Sequence, residues 1–123
     1  MNDNQTTIAD LKSMMTRFIA ERNWEKFHTP RNLAVSLNVE AGELLELFQW
    51  LTPEEATVRT KEPDFRTALG EEMADVLMYL VSLAVAADID LAAATEAKMA
   101  KNCRKYPADE FRGRYQRPAR HTD

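Results

Sequence analysis

Residues 40–50 read Glu40-Ala41-Gly42-Glu43-Leu44-Leu45-Glu46-Leu47-Phe48-Gln49-Trp50, and the reading of this stretch decides the fold. Around it, apolar residues recur at Leu33, Leu37, Leu44, Leu47 and Leu51, an alternating four-three spacing whose one missing slot is Glu40. That spacing marks a helix with a buried stripe. A carboxylate on such a stripe is costly unless it is paired, hydrogen-bonded or bound to a cation. Glu43 and Glu46 follow at steps of three, and nothing basic lies between Asn32 and Leu51. Like charges at that spacing repel one another.

A second stretch repeats the theme. Residues 69–87 read LGEEMADVLMYLVSLAVAA, with Leu69, Met73, Val76, Leu77, Leu80, Leu83 and Ala84 at helical spacing. Glu72 and Asp75 sit three apart near the start of this greasy helix, and Tyr79 lies four beyond Asp75. Trp50 likewise lies four beyond Glu46. Each helix therefore carries carboxylates with an aromatic one turn away, and an antiparallel pair would converge four or five acids on one spot. Oxygen-only clusters suit a hard cation, Mg²⁺ first, which keeps waters and completes its shell with substrate phosphates. A single E-x-x-E in a helix is more often a solvated face; two such motifs inside apolar helices weigh towards a site.

Composition agrees with an all-α reading. The chain has 123 residues, enough for one core, with 45% hydrophobic and 29% charged residues but only three glycines and five prolines. The net charge of −4 argues against a general nucleic-acid or anionic-membrane binder. The one cysteine, Cys103, excludes an intramolecular disulfide framework and is read as structural. No apolar run reaches membrane-spanning length, and MNDNQTT has no signal-peptide core, so the expected location is the cytoplasm. The run VLMYLVSLAVAA at 76–87 is apolar nearly all round, as a helix buried on several sides would be. A chain this short cannot cover it alone, which predicts a homo-oligomer.

Along the chain, four main helices are expected, over about 7–23, 31–51, 64–87 and 91–105. Thr6 or Thr7 caps the first, with Asp10 in its first turn. The connection Trp24-Glu25-Lys26-Phe27-His28-Thr29-Pro30-Arg31-Asn32 is dense in chemistry. Thr29 and Pro30 read as N-cap and first residue of the second helix. Trp24 and Phe27 are either core or aromatic surface for a ligand. His28 has no histidine or cysteine partner at ligand spacing, so a hydrogen-bonding or phosphate role fits it better than metal ligation. Arg31 is a surface residue or a phosphate clamp. Thr52-Pro53-Glu54-Glu55 reads as the start of a short helix within a polar connection. Gly42 and Gly70 either mark close backbone approach or are simply tolerated. Lys98, Lys101, Arg104 and Lys105 either complement the dipole of the last helix or form a basic wall towards a triphosphate. Residues 108–123 carry four arginines without periodicity and read as a flexible basic tail.

Taken together, W-E-K-F-H-T-P-R-N-L at 24–33, G-E-L-L-E-L-F-Q-W at 42–50, E-E-M-A-D-V-L-M-Y-L at 71–80 and K-M-A-K-N-C-R-K-Y-P at 98–107 resemble the MazG-type all-α nucleoside triphosphate pyrophosphohydrolases, in their dCTP pyrophosphatase branch. The resemblance spans about residues 8–110, a domain of 1–110 with a basic tail of 111–123. It implies Mg²⁺-dependent hydrolysis of a nucleoside triphosphate, dCTP or a modified dCTP first, to monophosphate and pyrophosphate, as house-cleaning or pool balance. Mn²⁺ is a substitute cation, and the assembly is a dimer or tetramer of helical bundles. The implied metal ligands are Glu40, Glu43, Glu72 and Asp75, with Glu43, Glu46 and Glu72 as catalytic acids. Trp24, His28, Trp50 and Tyr79 would form the base pocket, and Lys98, Asn102, Arg104 and Tyr106 would meet phosphates, alongside Arg31 if it is the clamp its residue type allows. One departure concerns Met15, where dCTP-specific relatives carry a histidine in the first helix; it leaves the base preference open while sparing the phosphate chemistry.

Two other readings compete. A carboxylate-bridged di-iron bundle needs a Glu-x-x-His pair on each of two helices, and His28 and His121, the only histidines, do not supply both. A non-catalytic helical oligomerisation module would leave the acids solvated and indifferent to divalent cations.

Overall fold

The computed structural model describes residues 1–115, and they are helical without a strand. The tail expected from residue 111 onward lies outside the described residues from 116. The chain falls into two compact units, Met1–Ile89 and Asp90–Asp123. The first holds α1 (Ile8–Glu21), a single 3-10 turn (Glu25–Phe27), α2 (Pro30–Glu46), α3 (Pro53–Arg59) and α4 (Pro63–Ala86); the second holds α5 (Leu91–Lys105) and α6 (Ala108–Phe111). The four long helices stand where the periodicity puts them, and α3 is the short helix read from Thr52-Pro53-Glu54-Glu55. In the 108–123 stretch, expected to be irregular, Ala108–Phe111 instead form a helical turn, with Phe111 edge-on to Tyr106 at 5.2 Å.

Each helix start follows from its residues. Thr7 accepts from the Asp10 amide while Asp10 accepts from the Thr7 amide, a reciprocal capping box. Thr29, Thr52 and Asp90 cap α2, α3 and α5 through their side-chain oxygens, and proline stands first in α2, α3 and α4. Two helix ends matter more. Asn23 and Asp88 each have φ 52, in the left-handed region that Asn and Asp tolerate better than other side-chained residues. After α1, Trp24 N–H donates to Ile19 O (3.1 Å) and Asn23 N–H to Ala20 O (3.0 Å). After α4, Ile89 N–H donates to Ala84 O (2.9 Å) and Asp88 N–H to Val85 O (3.2 Å). Both are Schellman closures. The Lys12 ammonium donates to Ile89 O at 2.6 Å and ties α1 to the end of α4.

In the first unit α4 packs on α1 and α2. Phe48 meets Phe65 edge-on at 5.4 Å, Glu40 and Glu43 face Glu72, and Leu33 shares a cavity wall with Ser82 and Val85. As α2 ascends, its partners on α4 descend, so the two helices run antiparallel. The buried core is a thin seam of Ile19, Leu33, Phe65, Val81 and Ala84, with Leu33 and Val81 at 2% and 1% exposure. Ser82, the buried polar residue, donates its hydroxyl to Met78 O at 2.7 Å.

One expectation changes and one open alternative closes. α2 ends at Glu46 rather than at Leu51, because its last turn tightens: Leu47 N–H bonds Leu44 O and Phe48 N–H bonds Leu45 O. The same turn sets Phe48 against Phe65. Trp50 then no longer shares a helical face with Glu46, and it stands 87% exposed. Gly42 and Gly70 mark no close approach within the described residues, since a Cβ at either would meet nothing within 4 Å.

Candidate active site

The antiparallel pairing of α2 and α4 turns two sequence motifs into one cluster. Glu40, Glu43 and Glu72 can each offer a carboxylate oxygen with all three atoms within 4.8 Å of one another. Oε2 of Glu40 and Oε2 of Glu72 are closed off from solvent without a hydrogen-bond partner. A buried lone pair without a donor is a costly arrangement. It fits a group that supplies positive charge, and a set of oxygens alone fits a hard cation.

The titration of these groups records the crowding. The Glu43 side chain close beside it raises Glu40 above its ordinary 4.5, first by competing for hydrogen bonding; burial and the charges of Glu43, Asp75 and Glu72 add to it. Glu72 is raised first by burial, then by the charges of Glu43 and Asp75, a hydrogen bond with Glu43 and the charge of Glu46. Asp75 and Glu46 therefore lie within electrostatic reach but outside the trio that can share one ion. Glu46 is the exposed last residue of α2.

Asp75 also belongs to a cavity of about 420 Å³ lined by Met14, Met15, Phe18, Trp24, His28, Met78, Tyr79 and Ser82. This is the size and mixed apolar character of a small-molecule pocket. The Schellman closure after α1 builds one wall, because it folds Trp24 back onto Phe18, edge-on at 5.9 Å. The Arg22 guanidinium lies 3.8 Å over the Phe18 ring. The His28 ring runs nearly parallel to Trp24, 9° between planes and 6.3 Å between centroids. Its Nδ1 bonds Trp24 O at 2.9 Å.

Of the residues expected from the sequence, the structure brings together Glu40, Glu43 and Glu72, and, in the adjoining cavity, Trp24, His28, Asp75 and Tyr79. Trp50 is not among them. Arg31 is exposed, and its guanidinium donates to Asn32 Oδ1 at 3.2 Å. Phe27 is exposed, with Lys26 over its ring at 5.1 Å. Lys98, Asn102, Arg104 and Tyr106 belong to the second unit: three lie on α5, where Lys98 and Asn102 share a face, and Tyr106 is its C-cap. Sequence reasoning missed Phe18, Met78 and Ser82 as cavity residues. The signal was available on α4, where Glu72, Asp75, Tyr79 and Ser82 continue one face at steps of three, four and three.

The profile of the MazG-like family matches residues 35–117. Among characterised proteins, the chain is 46% identical over 110 residues to dCTP pyrophosphatase 1 of Bos taurus, covering 89% of this chain and 65% of that protein. With dCTP pyrophosphatase 1 of Homo sapiens the identity is 48% over 104 residues, covering 85% and 61%. The chain thus spans somewhat under two thirds of the length of these relatives. The crystal structure of a pyrophosphatase from Archaeoglobus fulgidus superposes with a TM-score of 0.77 at 39% identity, covering 87% of this chain and 98% of that one.

Proposed function

This chain belongs to the MazG-like family, and we propose that it is a Mg²⁺-dependent nucleoside triphosphate pyrophosphohydrolase acting on dCTP or a modified dCTP. The observation that carries the reading is one continuous site: three carboxylates with two orphaned oxygens, joined through Asp75 to an aromatic cavity of nucleobase size. The similarity to proteins named dCTP pyrophosphatase supports the substrate.

Glu40, Glu43 and Glu72 would hold the cation, with Asp75 beside them. When bound, the cation supplies the charge that neutralises the triphosphate. Glu46, at the open end of α2, accepts a proton from the attacking water, with Glu43 and Glu72 fixing the geometry around it. Water oxygen bonds the α-phosphorus, the bond from that phosphorus to the α–β bridging oxygen breaks, and pyrophosphate leaves with the electron pair. Trp24, His28 and Tyr79 hold the base by stacking and edge contacts. Trp50, Arg31, Lys98, Asn102, Arg104 and Tyr106 are proposed substrate contacts by residue type alone, as is Mn²⁺ as a substitute ion. The protein is proposed to work in the cytoplasm as a homo-oligomer, dimer or tetramer. The stripe of α2 and α4 that leaves Leu45 and Met73 60% and 56% exposed would be the covered face.

The test is pyrophosphate release from a panel of deoxy- and ribonucleoside triphosphates with and without Mg²⁺. Turnover is expected with Mg²⁺ alone or Mn²⁺, highest for dCTP-type substrates. The Glu43→Gln variant should lose about 100-fold or more with its helicity retained. Full activity in that variant, or no turnover by the wild type, defeats the reading.

A further inference from the structure

Ile89 is the last residue of the first compact unit, and Asp90 opens the second as the N-cap of α5. The joint is closely tied on both sides. Asp88, at φ 52, and Ile89 donate their amides to Val85 O and Ala84 O. The Asp90 side chain and carbonyl accept the Ala93 and Ala94 amides, at 2.9 and 3.0 Å. The carbonyl of Ile89 takes the Lys12 ammonium at 2.6 Å. Ile89 is 46% exposed, so water would satisfy that oxygen too, and the ammonium is not there to rescue a buried group. The matching turn after α1 closes the same carbonyl locally: Trp24 O, in the position that Ile89 O holds after α4, meets His28 Nδ1 four residues on. Lys12 stands 77 positions from Ile89. Outside the carboxylate cluster, every other side-chain hydrogen bond and salt bridge among the described residues joins positions at most 6 apart. Charge points the same way. No lysine or arginine stands between Arg66 and Lys98, and the last turn of α4 has no basic residue to meet its dipole. α1, packed on α4, brings one there on a half-buried side chain two residues past its own capping box.

We propose that Lys12 is a positioning residue: by holding Ile89 O it latches the joint between α4 and α5, and so keeps α5, with Lys98, Asn102 and Arg104, in the arrangement that binds a triphosphate. The second half rests on the reading of those three residues as substrate contacts. Both partners of the latch lie in the first unit, so it acts on the point from which the second unit departs and touches no substrate itself. With the latch open, the chain spends part of its time unable to bind, and its apparent affinity falls by that fraction. Once substrate is bound, the chemistry at the carboxylates is unchanged. Loss of Lys12 is therefore a loss of affinity without a loss of turnover.

The experiment compares the wild type with the Lys12→Met variant, which keeps the apolar stem and loses the donor, and the Lys12→Arg variant, which keeps a donor. Amide hydrogen exchange is followed along the chain, and steady-state hydrolysis of dCTP is measured with Mg²⁺. In the Lys12→Met variant the amides of Asp88 and Ile89 should exchange about 10-fold faster, the worth of one hydrogen bond, while those of α2 keep their rates. KM should rise by a similar factor with kcat unchanged, and the Lys12→Arg variant should restore both. Unchanged exchange at the joint, or acceleration spread evenly over α1, α2 and α4, overturns the latch, since an even rise marks general destabilisation. Faster exchange at the joint with KM unmoved, or a fall in kcat at constant KM, overturns the positioning role, because a merely structural loss lowers the amount of active protein and not its affinity. Absence of turnover by the wild type with every triphosphate defeats the hydrolase reading instead. Hydrogen exchange then decides the latch by itself: release confined to the joint in the Lys12→Met variant and recovery in the Lys12→Arg variant sustain it, and any other pattern overturns it.

Discussion

Glu40 and Glu72 meet the same difficulty from two different helices. Each keeps Oε2 from solvent without a donor, and each titrates above its ordinary 4.5 in the folded chain. Between pH 4.5 and those raised values the folded state therefore holds protons that the unfolded chain has released. Stability falls as pH rises through that window. In EDTA, the contribution of this pair should lower the melting temperature from pH 4.5 towards neutrality. The Glu72→Gln variant should melt higher than the wild type at pH 7 in EDTA and show a flatter pH dependence. Saturating Mg²⁺ should reverse the order, since a ligand at about 100 times its Kd stabilises the folded state by ~2.7 kcal/mol; the variant should gain little. Calorimetry at four pH values with and without Mg²⁺ settles it, and identical Mg²⁺ responses in both proteins would remove the metal from this trio. The acids themselves were legible, because E-x-x-E and E-x-x-D interrupt apolar stripes. Which of them converge within reach of a single ion was not: Asp75, expected as a fourth ligand, stands outside the trio. Spacing gives the face of a helix but not the depth at which two helices meet.

Elements carry the site through their ends more than their middles. The cavity wall exists because Asn23, just past the end of α1, takes the left-handed region and returns Trp24 to Ile19 and Phe18. Asn23→Ala should cost about 1 kcal/mol in stability, since the Cβ-bearing residue loses the local tolerance of Asn at positive φ. Asn23→Gly should cost little or nothing. If the turn positions Trp24, the alanine variant should also raise the KM for nucleotide, and the glycine variant should not. A fall in melting temperature with KM unmoved would detach Trp24 from that turn. The helix starts could be read directly: Thr7, Thr29, Thr52 and Asp90 all cap as their residue types predict. The end of α2 could not. Its apolar spacing runs on to Leu51, yet the pull of Phe48 onto Phe65 tightens the turn at Glu46. That tertiary contact has no local signal, and it is why Trp50 left the face on which periodicity had set it.

At the scale of the molecule, α4 poses a covering problem that its own unit does not solve. Its inner face is used by Phe65, Val81 and Ala84, but Met73, Leu77 and Leu80, at steps of four and three along one stripe, stay open. Leu45 continues that surface from α2, and Ala41, Leu44, Phe48 and Leu69 line the shallow groove it shares with Met73. Contiguous apolar surface of this kind marks an interaction site. The all-round apolar pattern of residues 76–87 had pointed to it, because a one-sided helix needs no such run. Stable pairing buries ~800 Å² per partner. In sedimentation equilibrium the wild type should run at a multiple of the chain mass. The double variant Leu45→Lys, Met73→Lys should run at a smaller mass with its far-UV helicity retained, because two like charges would be buried unpaired across the contact. Each substitution is at an exposed position of the isolated chain, so neither should disturb the Leu33–Val81 seam. A wild type that sediments as a single chain would show instead that α4 keeps an apolar face in water. The double variant would then have no partner to lose, and its only expected effect would be greater solubility.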